Sequence, residues 1–350
     1  MRKKTQYIVV NEIYKTIYCG YPQKRAWKII TGSSGGFLGT SYLAVGYECN
    51  HKCICCPLTT YDRLHKSFRY EEIAERIARI GPGEEGEHMV LSGGEPMLHP
   101  DFLKIVALLA EKGYAITMLS NASLCRDPNL VRELKRVIPE HRFDIVTAIH
   151  SSTPAIHDRI TGVPGSLLET LEGLDHLVEE EIPVTIKHIF NRISLPSLLE
   201  TFQYLEHHFP PRVGFQFCTM DYSGRAGKNV EELFVSMEEI RGPLEQLLDE
   251  LEQHMVRNRK ISLIETPLCL TDPYYWKYYL PSSRGLHTYT APNTDERPVC
   301  YDVESQCGPY YPPCQNCAVR QWCSGIWKSA YQYQQEGMLD PIKRVDEERK

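Results

Sequence analysis

The sequence predicts an α/β protein with a parallel sheet, followed by a small cysteine-rich domain. Between about residues 40 and 220, short apolar runs typical of buried strands alternate six times with segments whose apolar residues recur at helical spacing. Such alternation is typical of parallel strands joined by crossover helices. After residue 264 the composition becomes rich in proline, tyrosine and cysteine. A chain of 350 residues is long enough for one large domain and one small one.

The predicted elements follow in a regular order. Each strand is a short run rich in apolar and β-branched residues, and the six runs are 42–47, 89–91, 115–119, 143–149, 184–189 and 213–217. The intervening helices are predicted at 70–78, 102–109, 129–137, 167–177 and 195–205. A long acidic amphipathic region follows, whose leucines we expect to pack on the sheet. The expected units are therefore an N-terminal arm (1–38), the core (39–228), a linking helix (229–258), the cysteine-rich domain (259–335) and a polar tail (336–350).

Composition argues against several classes of protein. The formal net charge of -6 provides no general attraction for nucleic acid. No secretory signal follows Met1, and no window is long and apolar enough for a transmembrane helix, so we expect a cytoplasmic protein without a membrane partner. Thirteen cysteines in such a chain favour metal ligation over disulfides.

Three of these cysteines form a compact group directly after the first predicted strand. Cys49, Cys53 and Cys56 have the spacing C-x3-C-x2-C. Thiolates favour zinc, copper(I) or iron-sulfur clusters, and zinc sites usually pair their ligands in two separated knuckles. A single group of three instead suits a four-iron cluster, and it leaves one iron without a protein ligand. A small molecule can coordinate such an iron.

A second motif lies where the second predicted strand ends, in the segment Ser92-Gly93-Gly94-Glu95-Pro96. Together with the three-cysteine loop, it resembles the signature of radical S-adenosylmethionine (SAM) enzymes. The resemblance implies a partial (β/α)6 TIM barrel, a [4Fe-4S] cluster held by three cysteines and exchangeable SAM, and a GGEP motif that holds the methionyl amino group. We expect glycines here because a side chain would block close approach of the ligand to the backbone.

Further SAM contacts are expected at the C-terminal ends of the barrel strands, where barrel enzymes place their working residues. Ser120 and Asn121 resemble the family position that touches the methionyl or ribose part of SAM, and Gly224-Arg225 resembles the loop that closes its pocket. Asn191 is either a contact or a helix cap. The full set of implied SAM-binding residues is Gly93, Gly94, Glu95, Pro96, Ser120, Asn121, Ser151, Arg159, Asn191, Gly224 and Arg225.

The C-terminal cysteines resemble an auxiliary cluster domain of the SPASM or shorter twitch type. Cys314, Cys317 and Cys323 have the spacing C-x2-C-x5-C and are preceded by the isolated Cys269. The full SPASM pattern places another cysteine where this chain has Trp327, so the resemblance implies one auxiliary [4Fe-4S] cluster on these four cysteines. Two further cysteines, Cys300 and Cys307, could replace Cys269 or supply an incomplete second site. A zinc ribbon is the alternative.

The resemblance implies an oxidoreductase that cleaves SAM reductively to a 5'-deoxyadenosyl radical, which abstracts a hydrogen atom from the substrate. A flavodoxin or ferredoxin would supply the electron. The expected substrate is a ribosomally synthesised peptide or a protein side chain, modified by oxidation or cross-linking. A thiol of Cys300 or Cys307 acting as hydrogen donor would give epimerisation instead. The alternatives are a small metabolite, such as a sugar or cofactor precursor, and a non-catalytic iron-sulfur carrier, although a carrier leaves the GGEP motif unexplained.

Overall fold

The computed structural model describes residues 40–58, 67–80, 88–140, 142–254, 259–280 and 312–334, together with short strands elsewhere. Three of these strands form an antiparallel sheet in the predicted arm: β1 (Tyr7–Asn11), β2 (Thr16–Tyr21) and β3 (Lys24–Thr31). The side chains of Cys300 and Cys307 and the predicted tail lie outside the described residues. Among the described helices, none is long and apolar enough to cross a membrane.

A large mixed sheet forms the centre of the described structure. Its strands are β4 (Thr40–Ala44), β5 (His88–Ser92), β6 (Ala115–Leu119), β7 (Phe143–Ala148), β8 (Val184–Ile189), β9 (Gly214–Cys218), β10 (Ile261–Ile264), β11 (His287–Thr290) and β12 (Val299–Tyr301). Strands β4 to β10 lie side by side in chain order, each parallel to the next. Strand β4 pairs on its other side with β11, so these seven strands do not close into a complete barrel.

Helices connect the strands, as the sequence predicts. They are α1 (Tyr70–Ile80), α2 (Phe102–Glu111), α3 (Pro128–Val137), α4 (Pro154–Thr161), α5 (Ser166–Glu179), α6 (Leu198–His208), α7 (Gly224–Lys228), α8 (Val230–Leu233), α9 (Met237–His254) and α10 (Lys328–Tyr331). Helix α3 begins where Asp127 accepts a hydrogen bond from the Asn129 backbone N–H (2.9 Å), and helix α4 ends at Gly162 in the left-handed conformation. Both are common helix boundaries.

The predicted fold class is confirmed, with one extension. All six predicted strands are present, and the run 261–264, which we assigned to the cysteine-rich domain, pairs with β9 as a seventh parallel strand. The leucines of α9 are buried in the core, as expected: Leu244, Leu247, Leu248 and Leu251.

Each strand presents one face to the helices and the other to the barrel interior. The Phe202 ring of α6 packs on Phe215 and Phe217 of β9, with ring centroids 5.0 and 4.5 Å apart. Gln216 between them therefore faces inward, because successive side chains of a strand point to opposite faces. Burying such aromatic side chains contributes about 1.5–3 kcal/mol each. The loops after the strands meet at the C-terminal edge of the sheet, where the candidate site lies.

Candidate active site

The three-cysteine loop is attached to the end of β5 by backbone hydrogen bonds. The N–H of Gly94 donates to the carbonyl of Gly46 (2.9 Å), and the N–H of Glu95 donates to the carbonyl of Glu48 (2.8 Å). These acceptors belong to the segment that leads into Cys49. The GGEP motif therefore positions the chain from which the first cysteine projects.

This attachment explains why residues 93 and 94 are glycines. A Cβ atom on Gly93 would lie 2.1 Å from the carbonyl oxygen of Gly46, and one on Gly94 would lie 2.1 Å from that of Glu48. Gly93 also has φ +130°, a conformation that other residues rarely adopt. The sequence argument invoked room for a ligand, whereas the structure fills that room with the backbone of the loop.

Helix α4 holds the middle of the cysteine loop. The N–H of Lys52 donates to the carbonyl of Thr161, and the N–H of Ile54 donates to that of Ile160, both at 2.8 Å. The helix ends directly after these residues, so its last carbonyls remain available to the loop. Two of the four residues from 52 to 55 are thus held by one helix end.

The segment after β9 holds the end of the loop. The N–H groups of Arg225 and Ala226 both donate to the carbonyl of Cys56, at 3.0 and 3.1 Å. The Arg225 guanidinium donates to the carbonyl of Cys53 (3.3 Å). Gly224 has φ +56°, and a Cβ there would lie 2.3 Å from the backbone of Pro57. The predicted pocket-closing pair, Gly224 and Arg225, thus contacts the cysteine loop.

The three thiols lie within electrostatic reach of one another. The pKa of Cys49 is raised to about 12, mainly by burial and to a smaller extent by the neighbouring Cys53 and Cys56 thiols. The His51 N–H donates to Cys49 Sγ (3.4 Å). A hydrogen bond from the Cys55 thiol, and then one from His51, lowers the pKa of Cys53. Polar donors aimed at sulfur favour the thiolate form that binds iron.

Glu95 connects the ends of two neighbouring strands. Its buried carboxylate accepts hydrogen bonds from the Ser120 hydroxyl (2.9 Å) and from the N–H groups of Met97 (3.1 Å) and Asn121 (2.8 Å). Burial raises the pKa of Glu95, and these three donors oppose that rise. The Asn121 side-chain amide then donates to Asn50 of the cysteine loop (2.8 Å). Glu95, Ser120 and Asn121 are therefore brought together beside that loop.

The side-chain amide of Asn191 forms hydrogen bonds within its own turn. Its amide nitrogen donates to the Ile189 carbonyl (2.9 Å) and the Ser194 hydroxyl (2.7 Å). Its amide oxygen accepts from the N–H groups of Ile193 and Ser194, both at 3.1 Å. The geometry is that of a side-chain cap on the turn that follows β8.

The contacts of Ser151 and Arg159 described below are with residues outside the cysteine loop. The buried Ser151 hydroxyl accepts from the Thr153 N–H (3.1 Å) and lies 3.1 Å from the Ser197 hydroxyl. Arg159 forms an ion pair with Glu232, and 59% of its side chain is exposed. Ser151 thus shapes the loop after β7, and Arg159 points to the outer surface of α4.

Residues 43–203 match the family described as the radical SAM superfamily. The chain contains a radical SAM domain. This match covers β4 to α6, and with them the cysteine loop and the GGEP motif. The predicted family, which is a family of enzymes, is thereby confirmed.

Two curated proteins illustrate the sequence similarity. An Fe-coproporphyrin III synthase from Methanosarcina barkeri is 26% identical over 206 residues, which cover 58% of this chain and 49% of that protein. A probable GTP 3',8-cyclase from Thermococcus kodakarensis is 30% identical over 145 residues, which cover 41% of this chain and 45% of that protein. The chain thus spans about half the length of the curated relatives it matches.

Two solved structures share the fold. Streptococcus suis SuiB bound to its precursor peptide SuiA superposes with a TM-score of 0.59 and 14% identity, over 89% of this chain and 75% of SuiB. Native anSMEcpe with bound AdoMet and the Cp18Cys peptide superposes with a TM-score of 0.60 and 14% identity, over 87% of this chain and 93% of anSMEcpe. These likenesses confirm the radical SAM partial-barrel fold.

Beyond the radical SAM domain, the four predicted auxiliary ligands come together. Burial raises the pKa of Cys269, and the nearby thiols of Cys323, Cys314 and Cys317 add to that rise. Cys323 Sγ accepts hydrogen bonds from the N–H groups of Leu268 (3.4 Å) and Gly325 (3.3 Å). Folding thus joins one cysteine after β10 to three others far along the chain.

The donor atoms fit iron-sulfur clusters at both places. Each is a group of neighbouring thiols with backbone N–H groups directed at sulfur, the environment that stabilises bound thiolate. In the part of the chain that the structure describes, no three Cys, His, Asp or Glu side chains converge on a point suited to a single metal ion. A four-iron cluster does not require side chains to converge on one point, because each cysteine binds a different iron atom.

The sequence argument missed residues inside the barrel. Lys187 of β8 and Glu265 after β10 lie 4.0 Å apart, and both act electrostatically on Tyr42 of β4. A lysine within a buried, β-branched strand was the available signal for this group. Its partners could not be found from local spacing, because they come from distant strands.

Proposed function

We propose that the protein is a radical SAM enzyme whose [4Fe-4S] cluster is held by Cys49, Cys53 and Cys56. The observation that carries this proposal is the loop of three neighbouring thiols, held in place by the GGEP backbone, the end of α4 and residues 224–226. A cluster bound there would supply the electron that cleaves SAM to methionine and a 5'-deoxyadenosyl radical. The chain holds the loop at the C-terminal edge of the sheet, where the three cysteines would leave one iron of the cluster without a protein ligand.

The neighbouring polar residues form a rim beside the proposed SAM site. Asn50 is exposed at the edge of the loop, and it donates to the Ser123 hydroxyl (2.8 Å) while accepting from Asn121. Glu95 fixes Asn121 through its backbone N–H. We assign SAM orientation to this rim, since a ligand on the open iron must pass over it.

We assign one auxiliary [4Fe-4S] cluster to Cys269, Cys314, Cys317 and Cys323. Trp327 replaces the further cysteine of the full SPASM pattern, and its indole N–H donates to the carbonyl of Thr219 after β9 (3.1 Å). This residue therefore anchors the cysteine-rich segment to the barrel mouth. The cluster would accept the electron that substrate oxidation releases, and a flavodoxin or ferredoxin would reduce the SAM cluster.

The proposed substrate is a ribosomally synthesised peptide or a protein side chain. SuiB is described bound to a precursor peptide, and anSMEcpe is described bound to peptides; both share the fold over most of this chain. Oxidation or cross-linking balances as loss of two electrons and two protons: one hydrogen atom goes to 5'-deoxyadenosine, one electron to the auxiliary cluster and one proton to solvent. A small metabolite is the second candidate, because the curated relatives are named as synthases and cyclases.

The proposal is tested by anaerobic reconstitution with iron and sulfide, followed by iron analysis and reduction with SAM. We expect about eight irons per chain and formation of 5'-deoxyadenosine. The triple variant Cys49/Cys53/Cys56→Ala should lose half of the iron and all of the cleavage. Cys125→Ala is the matched control, because this buried thiol contacts the Met97 sulfur (3.5 Å) and belongs to neither group. A fully loaded protein that forms no 5'-deoxyadenosine would leave only an iron-sulfur carrier.

A further inference from the structure

Within the described strands β4 to β10, one lysine or arginine side chain lies on the inner face of the barrel. Lys187 is in register with Ala148 of β7 and with Gln216 of β9, which faces inward because its neighbours pack on α6. The register places no other lysine or arginine on the inner face of β4 to β10, all of whose residues the structure describes. The ammonium of Lys187 is therefore the cation that a molecule inside the barrel would meet.

Glu265 faces this ammonium from the end of β10. The Lys187 Nζ and a Glu265 carboxylate oxygen are 4.0 Å apart, which is close enough for attraction but too long for a hydrogen bond. Their side chains are 22% and 26% exposed, so solvent or a ligand reaches both groups. The Lys187 ammonium also interacts electrostatically with the nearby Cys218 thiol. Each member of the pair retains hydrogen-bonding capacity toward a third group.

The backbone at Glu265 is held in an unusual conformation. Its φ is +48°, in the left-handed region that non-glycine residues seldom occupy. The Thr219 hydroxyl donates to the Glu265 carbonyl and holds it there. Such conformations cost about 1–3 kcal/mol and cluster at ligand sites. Glu265 therefore combines a strained backbone with a carboxylate 4.0 Å from the Lys187 ammonium.

The pair lies on elements that lead to both cysteine groups. Ile189, two residues after Lys187 on the same face of β8, packs on an apolar cluster that includes Cys55, and Cys53 packs on the same cluster. Two residues of strand span about 6.6 Å, so Lys187 lies roughly one layer below that cluster. Glu265 is four residues before Cys269 along the chain. These two connections point to a ligand position between the two cysteine groups.

The charges of the site favour a neutral, dipolar ligand. An anion would be attracted by Lys187 and repelled by Glu265, and a cation would meet the reverse. Asp221 is a further negative charge that acts on Glu265, more weakly than Lys187 does, and the hydroxyls of Ser223 (2.7 Å) and Ser329 (2.6 Å) hold its carboxylate in place. An amide offers a carbonyl to the ammonium and an N–H to the carboxylate, so it satisfies both at once.

We propose that Lys187 and Glu265 form an amide-binding subsite that orients one backbone or side-chain amide of the substrate inside the barrel. This inference rests on the proposed function only in its assumption of a peptide substrate. Tyr42 lies across the barrel from the pair, and its pKa is raised to about 12 by burial and by Glu265, with Lys187 opposing. Its phenol is therefore neutral and adds no further charge to the electrostatics of the pair.

The test uses three small probes of similar size: acetamide, acetate and methylammonium. Each carries one methyl group, whose proton relaxation is accelerated when the probe lies near a paramagnetic cluster. Relaxation is measured with cluster-loaded, dithionite-reduced protein in the absence of SAM, in a slightly alkaline buffer at equal probe concentrations, and the rate of the Lys187→Met/Glu265→Gln double variant is subtracted to remove any probe bound directly to the open iron. The readout requires no SAM cleavage, so it remains informative even if the proposed activity is wrong.

Two nearly isosteric variants reverse the expected selectivity. In the native protein, acetamide should relax fastest. Glu265→Gln leaves Lys187 as an uncompensated cation, so acetate relaxation should rise about tenfold, the ratio given by 1.4 kcal/mol of binding energy. Lys187→Met leaves the carboxylate alone, so methylammonium relaxation should rise instead. Lys260→Met removes an exposed lysine at the opposite end of the barrel and should leave all three rates unchanged.

Each variant is expected to bind a different ion more tightly than the native protein does. These two opposite gains in affinity distinguish a ligand site from a merely structural ion pair. If neither variant gains its ion, or if both change the three probes equally, the subsite does not exist. If one variant fails to incorporate clusters, the other decides alone, because each predicts a gain for a different ion. Faster relaxation of acetate than of acetamide in the native protein would also overturn the proposal.

Discussion

Substituting Gly94 by alanine should remove the SAM cluster and leave the auxiliary cluster in place. The new Cβ would lie 2.1 Å from the carbonyl oxygen of Glu48 and 2.7 Å from the carbonyl carbon of Tyr47. An ordinary carbon-oxygen contact is about 3.3 Å, so the backbone before Cys49 must move by about 1 Å. Both neighbours are main-chain atoms, which cannot rotate away. We expect a loss of about 1–3 kcal/mol of stability, as for an overpacked core.

The assay is iron analysis after anaerobic reconstitution. The Gly94→Ala variant should retain about four of about eight irons and form no 5'-deoxyadenosine. Gly242→Ala is the matched control, since a Cβ there meets no atom of a more distant segment within 4 Å and the residue lies inside α9. Alanine is favoured over glycine in a helix by about 1 kcal/mol, but the following Pro243 disfavours the helical conformation of a residue with a Cβ, so we expect the iron content of this control to stay at the native value. Full iron and normal SAM cleavage in Gly94→Ala would refute the positioning role of the motif.

Three further predictions concern other parts of the molecule. Cys269→Ser should lower the iron content from about eight to about four without abolishing SAM cleavage, and an unchanged iron content would show that another residue completes the auxiliary site. Arg259→Met should lower stability by about 3 kcal/mol in urea unfolding, because the carbonyls of Val213, Phe209 and Glu206 lose their donor; an unchanged midpoint would contradict this. Burial lowers the pKa of His157 and His188 to about 4, so the free energy of unfolding should fall as pH decreases from 6.5 toward 4. His188→Gln should reduce this pH dependence by up to about 1.4 kcal/mol per pH unit. An equal pH dependence in the variant and the native protein would contradict the lowered pKa of His188.

Local patterns were sufficient to predict the elements of the barrel and its cysteine loop. The alternation of apolar runs and helical periodicity reflects burial on each face, a property that the chain encodes within a few residues. The spacing of Cys49, Cys53 and Cys56 is likewise local, so their proximity follows from one loop. The grouping of Cys269 with Cys323 was predicted only through resemblance, because the two are far apart in sequence.

Contacts between distant segments were beyond local reasoning. The glycine requirement at Gly93 depends on which backbone lies against it, and that is a tertiary fact. We predicted that Arg159 contacts SAM, whereas in the structure its exposed side chain forms an ion pair with Glu232. The pairing of Lys187 with Glu265 depends on the register of strands that are not adjacent in the sheet. Sequence spacing carries none of this information.

The most direct test of the central claim, that an iron left open by three cysteines holds SAM, is electron-nuclear double resonance of the reduced protein. SAM is labelled with magnetic isotopes at its amino nitrogen and carboxylate oxygens. We expect coupling of both labels to the cluster in the native protein and in Cys269→Ser, and none in Cys53→Ala. A fully loaded, reduced native protein that shows no coupling to either label would contradict it.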